Sequence, residues 1–398
     1  MRAQNGDITQ TSQLERIKME IKGNYTSATL YLAENPKTNI DQYALSQLNM
    51  LCNNEALEGS RIRIMPDVHA GKVGTIGFTA TVGDKIMPQL IGIDIGCGMT
   101  VAKITKGKAE WQRLDRVIRD SVPSGSHLRK NIHNMAVEFD YKNLECRKHI
   151  QDERADLSLG TLGGGNHFIE VDTDGNDLYL VVHSGSRNLG KQVTDHYMTE
   201  GQKYLKAKGY DIPYELTWLE GNLVNAYLHD VSATQDYAAL NRHIIIFEIL
   251  KGMKWKSEEP WDCRHNYIAS DSATISTFGS PLLRKGAISA MKDEKVVIPI
   301  NMKDGMILGT GKGNIDWNCS APHGAGRILK REDVKKNFTV SAFKSEMKGI
   351  YTSCISTDTL DEAPFAYRRM DDIISVVGDT ISIDKVLKPL YNFKAGNE

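Results

Sequence analysis

Glycine, histidine and other polar residues are concentrated in short segments, each of which lies beside a strand-like run of apolar residues. Such loops let the backbone approach a charged ligand closely, so this pattern constrains the chain to a fold whose loops carry chemistry. The glycine-rich segments are residues 65–72, 92–98, 162–170, 182–187, 264–267 and 321–327.

Between these segments, helical and strand periodicities alternate irregularly. Helices are predicted at residues 12–21, 42–57, 111–120, 192–207, 216–253 and 370–377, with a break in the long fifth helix and a further helix after Ile383. Strands are predicted at residues 61–65, 178–182, 295–300 and 306–308. We therefore expect an α/β or mixed α+β fold that forms a single large domain over residues 1–398.

The composition excludes several classes of protein. With 49 Lys and Arg against 50 Asp and Glu in 398 residues, the chain has no global basic field, so a polyanion would need a local patch. Six cysteines without a CxxC pair are too sparse for a disulfide framework and indicate a reducing, cytoplasmic compartment. The N-terminus lacks the apolar region of a signal peptide, and no run of about 18 apolar residues predicts a membrane span.

The glycine-rich segments contain a mixed set of oxygen, sulfur and nitrogen ligands. Asp94 and Cys97 lie three residues apart beside glycines, and His167, His183 and His265 lie in three other segments. A metal-stabilised thiolate can bridge two ions, and two metals about 3.5–4 Å apart can clamp a phosphoryl group. Taken singly, each histidine is more often a surface or satisfied core residue, and Cys97 a small buried hydrophobe. Only their clustering favours a metal site.

His323 lies among small residues, and Arg327 follows four positions later. This pattern suits a nucleophile that attacks phosphorus while an arginine offsets the developing charge. The alternative is a loop histidine that opens a helix over residues 327–336. Residues 309–313 look like a phosphate loop but lack the spacing of a Walker A motif.

Taken in order, these segments resemble the RtcB-type family of RNA-splicing ligases. The resemblance runs from about Asn24 to Lys394, which leaves residues 1–23 as a variable N-terminal segment. Eight ordered motifs carry it: Pro66-Asp67-Val68-His69, the segment 92–98, Gly165-Asn166-His167-Phe168, His183-Ser184-Gly185-Ser186-Arg187, His265-Asn266-Tyr267, Arg284-Lys285-Gly286-Ala287, the segment 323–327 and Lys394.

The resemblance implies a single RtcB-type domain with central β-sheets flanked by helices and an active site in loops at a central cleft. It implies a GTP- and Mn²⁺-dependent ligase that acts in RNA splicing or RNA repair. Such an enzyme joins RNA 3′-phosphate or 2′,3′-cyclic phosphate ends to 5′-hydroxyl ends through a histidine–GMP intermediate. The implied partners are these RNA ends and, as for some relatives, an activating protein, with no membrane.

Carried over by position, the resemblance also implies roles for individual residues. His323 is the nucleophile, and Asn166 and Asp67 assist catalysis. Two Mn²⁺ ions share Cys97, with His167 and His183 completing one site and Asp94 and His265 the other. The implied GTP-binding residues are Asn166, His167, Phe168, Ile169, Glu170, His265, Asn266, Pro299, Ile300, Asn301, Met302, His323, Gly324, Ala325, Gly326 and Lys394. The implied guanine readers among them are Glu170 and Lys394, and the implied RNA phosphate contacts are His69, Arg187 and Arg327.

The sequence departs from the family pattern at three places near the nucleotide. Residues 299–303 read Pro-Ile-Asn-Met-Lys where the family has Pro-Gly-Ser-Met-Gly. Met306 replaces a serine, and Pro322 precedes the nucleophile where a small polar residue is usual. The metal and nucleophile positions match. Two alternatives remain open: a dinuclear metal-dependent phosphoesterase that acts on RNA ends without ligation, and a non-catalytic RNA-binding module.

Overall fold

Apolar residues recur with period two along most strands, so each strand can bury one face or both. The protein's structure is a computed structural model that describes residues 17–32 and 41–395. In these ranges the strands are β1 (Ile17–Lys22), β2 (Ser27–Leu32), β3 (Ile62–Ala70), β4 (Thr75–Thr81), β5 (Lys85–Ile86), β6 (Cys97–Lys106), β7 (Phe168–Thr173), β8 (Leu178–Ser184), β9 (Leu219–Glu220), β10 (Lys256–Ser257), β11 (Trp261–Ala269), β12 (Leu282–Lys285), β13 (Ala287–Ser289), β14 (Lys295–Asn301), β15 (Gly305–Gly311), β16 (Ser320–Pro322) and β17 (Ile381–Lys394).

Helices connect and cover these strands. The α-helices of the described ranges are α1 (Gln42–Cys52), α2 (Pro88–Ile91), α3 (Trp111–Ser121), α4 (Asp152–Ser158), α5 (Arg187–Ala207), α6 (Asn222–Met253), α7 (Ser272–Phe278), α8 (Arg331–Asn337), α9 (Val340–Glu346) and α10 (Met370–Val377). Short 3₁₀ helices lie at Glu55–Leu57, Asn134–Glu138, Tyr141–Asn143, Arg147–His149, Tyr214–Leu216, Ile315–Trp317, Leu360–Glu362 and Pro364–Ala366.

Thirteen strands form one mixed sheet in the order β1-β2-β3-β4-β12-β11-β6-β8-β7-β17-β15-β14, with β10 paired to β6. Strands β2 and β3 pair in parallel, whereas the central pairs β6–β8, β7–β8 and β6–β11 are antiparallel. Two small sheets are formed by β13 with β16 and by β5 with β9. The expected mixed α/β architecture, with a central sheet flanked by helices, is confirmed.

The central strands β6, β7 and β8 bury both of their faces. On one face Ile104, Ile169 and Leu180 pack in a cluster with residues of α3 and α6. On the other face Val101 and Val181 pack in a cluster with residues of β14, β15 and α10. Burial on both faces is typical of strands in the middle of a sheet. Polar side chains on these strands are therefore found at the strand ends or as single polar positions among buried apolar residues.

Helix α6 runs unbroken for 32 residues and packs against β6, β8 and β11. The break predicted within residues 216–253 is wrong, because the chain from Asn222 onwards contains no proline, and its one glycine, Gly252, lies in the last turn. Leu216 to Gly221 instead form the end of a 3₁₀ helix and the short strand β9.

Two other helix predictions are wrong. Residues 17–21 lie in β1, while residues 12–16 of the same predicted helix lie outside the described ranges. The chain after Ile383 continues β17, whose first half pairs with β15 and whose second half pairs with β7. These two partners satisfy the backbone of a 14-residue strand, and that long-range pairing outweighs the local helical pattern.

The remaining predicted elements are confirmed in type, with shifted ends. The helix expected over residues 327–336 begins at Arg331, and residues 309–311 of the loop that looks like a phosphate loop belong to β15. Among the described residues, no helix combines the length and the apolar character needed to cross a membrane.

Candidate active site

The register of the central strands brings the glycine-rich segments together. Cys97 begins β6 and lies opposite Asn266 of β11, next to His265. On the other side of β6, His183 of β8 pairs with Met99, and on β7 it pairs with Phe168, the residue after His167. Four segments that are far apart in the chain thus meet at one point of the sheet.

Five side chains meet at this point and form the Cys/His cluster. The Cys97 Sγ lies 3.2 Å from the Nε2 of His183 and 3.5 Å from the Nε2 of His167. The two Nε2 atoms of His183 and His265 are 3.3 Å apart, and the Nε2 of His167 is 3.3 Å from the Oδ2 of Asp94. The ligand atoms of Cys97, His167 and His183 all lie within 4.8 Å of one another, which is the spacing of a metal site.

Backbone carbonyls orient two of these imidazoles. The Nδ1 of His167 lies 2.9 Å from the carbonyl oxygen of Leu162, and the Nδ1 of His183 lies 3.1 Å from that of Asn166. A carbonyl only accepts, so each Nδ1 carries the proton and each Nε2 lone pair points into the cluster. Lone pairs that face one another repel unless a cation lies between them, so this donor set fits a divalent metal ion.

The environment sets the charges of the cluster. Burial holds the pKa of His183 and of His265 well below the usual value for histidine, so both rings are neutral ligands at neutral pH. Burial raises the pKa of Asp94, but the His167 ring, when it is protonated, outweighs burial and lowers the pKa of Asp94 to about 2. Burial and the Asp94 charge raise the pKa of Cys97 well above its usual range, so its thiolate needs a bound cation.

Two glycines are required by the close packing around Asp94 and Cys97. Gly96 has φ +73°, and a Cβ there would lie 2.8 Å from the Cβ of Ala238 on α6. A Cβ on Gly185 would lie 1.9 Å from the Oδ1 of Asp94. The absence of these side chains lets the loop sit directly on α6 and lets the carboxylate reach the cluster.

His323 follows β16 and lies next to the cluster. The Oδ2 of Asp67 accepts hydrogen bonds from its Nδ1, at 2.7 Å, and from its backbone N–H, at 3.2 Å. The His323 and His265 rings are 4.9 Å apart between centroids. Because Nδ1 donates to Asp67, the Nε2 of His323 keeps its lone pair, and 18% of the side chain is exposed.

A cavity opens beside His323, and its empty space, including the solvent at its mouth, is about 840 Å³. Its walls are formed by His69, Asn166, Phe168, Glu170, His183, His265, Pro299, Ile300, Asn301, Met302, His323, Gly324, Ala325, Gly326, Arg327, Arg331, Glu362, Tyr367, Asn392 and Lys394. Within the fold, this cavity, the nucleophile candidate and the Cys/His cluster are contiguous.

Glu170 is the buried acid of this cavity. Its Oε2 accepts from the Nδ2 of Asn392 at 2.5 Å, and burial raises the pKa of Glu170 to about 7. The Lys394 ammonium lies 2.7 Å from the Oε2 of Glu362 and 3.4 Å from the carbonyl oxygen of Asn166. The cavity therefore offers both acceptors and a cation at positions that belong to three different elements.

Comparison with known proteins bears on this arrangement. A family model described as tRNA-splicing ligase RtcB matches residues 50–395. The chain belongs to the RtcB family of ligases. The family resemblance inferred from the eight motifs is thereby confirmed.

The RtcB relatives are found in bacteria and archaea. RNA-splicing ligase RtcB of Escherichia coli strain K12 is 29% identical over 375 residues, which cover 84% of this chain and 90% of that protein. RNA-splicing ligase RtcB2 of Escherichia coli strain ATCC 25922 is 25% identical, with 89% of this chain and 93% of the relative covered. tRNA-splicing ligase RtcB of Nanoarchaeum equitans is 26% identical, with 81% and 85% covered.

Most residues that the RtcB resemblance implies for GTP line the cavity, and three do not. Ile169 points into the core on the opposite face of β7. His167 lies in the Cys/His cluster, and Asn266 lines an adjoining cleft, where its Nδ2 donates to the carbonyl oxygens of Ile91 and Asp94. Asn166 lines both spaces, so it connects the cavity to the cluster.

Residues 299–303 depart from the RtcB pattern at positions 300, 301 and 303, and burial alternates along them from the end of β14. Ile300 and Met302 are 3% and 5% exposed and pack into apolar clusters, whereas Pro299 and Asn301 are less buried. Ile300, the apolar replacement, thus contributes mainly to the core behind the cavity wall.

The three implied RNA phosphate contacts differ in the charge they offer. Burial lowers the pKa of His69 to about 4, and its Nδ1 donates to the carbonyl of Asp67, so the ring is neutral. Arg187 donates to Thr161 and to the carbonyl of Gly125 at the edge of a cleft beside the cluster. Arg327 lines the cavity and donates to Glu362, Tyr367 and the carbonyl of Asp361.

Some site residues were not predicted. Lys285 belongs to one of the RtcB motifs, but no role was predicted for it. It lines the same cleft as His323, and its buried ammonium donates to the carbonyl oxygens of Val73 and Gln89. Burial lowers the pKa of Lys285 to about 8. Asn392 lies two residues before Lys394, so a strand prediction there would have placed both on one face. No motif or spacing in the sequence pointed to Glu362 as a site residue.

Proposed function

We propose that this RtcB family member is a GTP- and Mn²⁺-dependent RNA ligase that acts in RNA splicing or RNA repair. It joins RNA ends with a 3′-phosphate or 2′,3′-cyclic phosphate to ends with a 5′-hydroxyl, through a histidine–GMP intermediate at His323. The observation that carries this proposal is the position of His323, held by Asp67 at 2.7 Å between the Cys/His cluster and the cavity.

The Asp67–His323 pair supports a nucleophilic role. Because Nδ1 donates to Asp67, Nε2 is the ring atom that can form a bond to the α-phosphorus of GTP, with pyrophosphate as the leaving group. Positive charge develops on the ring as this bond forms, and the Asp67 carboxylate stabilises it. Asn166 lies between the cavity and the cluster and is the residue we assign to phosphate contact.

The Cys/His cluster supports metal dependence. Cys97, His167 and His183 would hold one Mn²⁺, and Asp94, Cys97 and His265 the other. A divalent ion bound there offsets phosphate charge, so that two anionic reactants can approach each other.

The buried polar groups of the cavity support guanine selection. Glu170 accepts from Asn392 and has lone pairs left for further donors. The guanine edge presents N1–H and N2–H₂ donors, which adenine lacks, and a buried acceptor rejects a base that leaves it unpaired. Lys394 is the donor available to the guanine carbonyl.

Covalent labelling tests the proposal. The protein is incubated with Mn²⁺ and GTP labelled at the α-phosphate, and its mass and modified peptide are determined. We expect one GMP, attached by an acid-labile and alkali-stable bond at His323, and no label in His323→Ala. His229→Ala, which changes an exposed histidine of α6, is the matched control and should label like the wild type.

Two outcomes would contradict the proposal. One is the absence of label in the wild-type protein, and the other is persistence of label in His323→Ala. Release of phosphate from RNA ends without GTP and without joining would instead support the phosphoesterase alternative. RNA binding that survives Cys97→Ala together with unchanged cellular function would support the non-catalytic alternative.

A further inference from the structure

Two carboxyl groups lie side by side in the core below the cavity. Glu170 and Asp172 are two residues apart on β7 and therefore lie on the same face. They are 3% and 0% exposed, and their side chains are neighbours on this buried face. In the described part of the chain, no hydrogen-bond donor reaches either oxygen of Asp172 or the Oε1 of Glu170.

Two carboxylates in contact cannot both be charged in a buried site, so the pair shares a proton. Burial, and then the Glu170 charge, raise the pKa of Asp172 well above its usual range. Glu170 is the better place for the negative charge, because Asn392 donates to it and the Lys394 ammonium is nearby. Asp172 is thus the protonated member, and its O–H donates to the Glu170 carboxylate.

Other ionisable groups do not compensate Asp172. Only burial and Glu170 act on its carboxyl group, whereas Lys394 acts on Glu170. On the neighbouring strands, Tyr179 and Lys385 pair with Asp174, and Lys394 pairs with Glu362.

We propose that Asp172, a residue with no role in the function proposed above, is a positioning residue for guanine selectivity. This inference rests on the assignment of Glu170 as the guanine acceptor. Asn392 donates to Glu170, and a protonated Asp172 supplies a second donor, which fixes the Glu170 carboxylate and fills two of its roughly four lone-pair sites. The two remaining sites match the N1–H and N2–H₂ donors of guanine.

Loss of the Asp172 donor has a defined consequence. Without it Glu170 is harder to ionise, since the hydrogen bond from Asp172 lowers the pKa of Glu170 against the effect of burial. A protonated Glu170 has an O–H where guanine also presents a donor, so guanine binding weakens. Affinity should therefore recover as pH rises and Glu170 ionises.

Nucleotide binding tests this inference without requiring the covalent step. Affinities for GDP and for IDP, which lacks the N2 amine, are measured by calorimetry between pH 6 and pH 8.5. In the wild type we expect GDP to bind about tenfold more tightly than IDP, the size of one buried hydrogen bond. Asp172→Ala should weaken GDP binding about tenfold at pH 7, reduce the GDP to IDP ratio, and regain affinity at high pH.

Matched variants separate positioning from stability. Asp172→Asn keeps an N–H donor to Glu170 and should bind GDP within about twofold of the wild type. Val171→Ala removes core volume on the opposite face of the same strand and should lower the thermal midpoint without changing the GDP to IDP ratio.

The outcomes distinguish this inference from the proposed function. An unchanged GDP to IDP ratio in Asp172→Ala, or a loss in Asp172→Asn as large as in Asp172→Ala, overturns the inference. The same holds if the wild type shows no preference for GDP. Selective GDP binding combined with no covalent label from GTP would leave the positioning role standing and overturn the ligase mechanism.

Discussion

At His323, reactivity depends on what the neighbouring residues leave free. The Asp67 carboxylate accepts hydrogen bonds from the Nδ1–H and from the backbone N–H of His323, so Nε2 is the ring nitrogen left free. Gly326 has φ +72°, and a Cβ there would lie 2.4 Å from the carbonyl oxygen of Asp67. The loop and the strand that carries Asp67 are therefore in direct backbone contact, which holds the pair together.

Asp67→Asn tests the electrostatic part of this arrangement. The asparagine side-chain oxygen can still accept the hydrogen bond from Nδ1–H, but it carries no charge to stabilise the ring as the N–P bond forms. We expect the rate of GMP attachment at saturating GTP to fall by about 10²- to 10⁴-fold, with little change in KM. Asp84→Asn, at an exposed position, is the control. An effect confined to KM would show that Asp67 contributes to binding instead.

Helix α6 braces the glycine-rich segments from behind the sheet. Arg242, fully buried, donates from Nη1 to the carbonyl oxygens of Gly96 and Ser184 at 2.9 and 3.0 Å. Asn241 accepts from the backbone N–H of Gly160 and donates to the carbonyl of Gly185. These bonds satisfy loop carbonyls and amides that would otherwise be buried without partners, and they connect three segments to one rigid element.

Gly96→Ala tests the contact between α6 and the segment 92–98. The new methyl group meets Ala238 at 2.8 Å and the residue has φ +73°, so we expect a loss of about 2–4 kcal/mol in the free energy of unfolding. Gly209→Ala has a similar φ of +87° with no atom within 4 Å, and should cost only about 1–2 kcal/mol. Urea denaturation gives both values; equal losses would mean that the close packing has no energetic role.

Across the whole molecule, β17 and Glu362 connect distant parts of the chain to the cavity. Strand β17 pairs with β15 and with β7 and delivers Asn392 and Lys394 to the site. Glu362 is 3% exposed and pairs with Lys394, Arg327 and Arg331, so it ties α8 to the last strand. These cations outweigh the effect of burial and lower the pKa of Glu362 to about 2.

Glu362→Gln tests this connection through its pH dependence. A depressed pKa in the folded state stabilises the protein above the ordinary value of 4.5, and this contribution is lost as pH falls towards 2. We expect the variant to lose about 3 kcal/mol in the free energy of unfolding at pH 7, and the difference to shrink between pH 5 and pH 3.

An exposed ion pair provides the control for Glu362→Gln. Glu346 pairs with Lys303, and the Glu346 side chain is 40% exposed. Glu346→Gln should therefore change the free energy of unfolding by less than about 1 kcal/mol at any pH. Urea denaturation at pH 3, 5 and 7 measures both variants. A loss for Glu362→Gln that is the same at all three values would refute the role of its charge.

Much of this could be read from local pattern. Short runs of consecutive apolar residues predicted β8, β14 and β15, and the ordered motifs pointed to the residues of the Cys/His cluster and to His323. Local pattern failed at β17, where helical spacing after Ile383 was outweighed by two long-range strand partners. It also failed at α6, where the strand contacts keep one helix continuous.

The sequence by itself determined which donors and glycines were present, because ligand chemistry and backbone freedom belong to single residues. Only the tertiary structure decided that Asn392, Glu362 and Asp172 belong with them. Asn392 reaches Glu170 across 222 positions of the chain, Glu362 meets Lys394 of the last strand, and Asp172 acts through its burial beside Glu170. Neither solvent exclusion nor a partner's charge is written in a local stretch of chain.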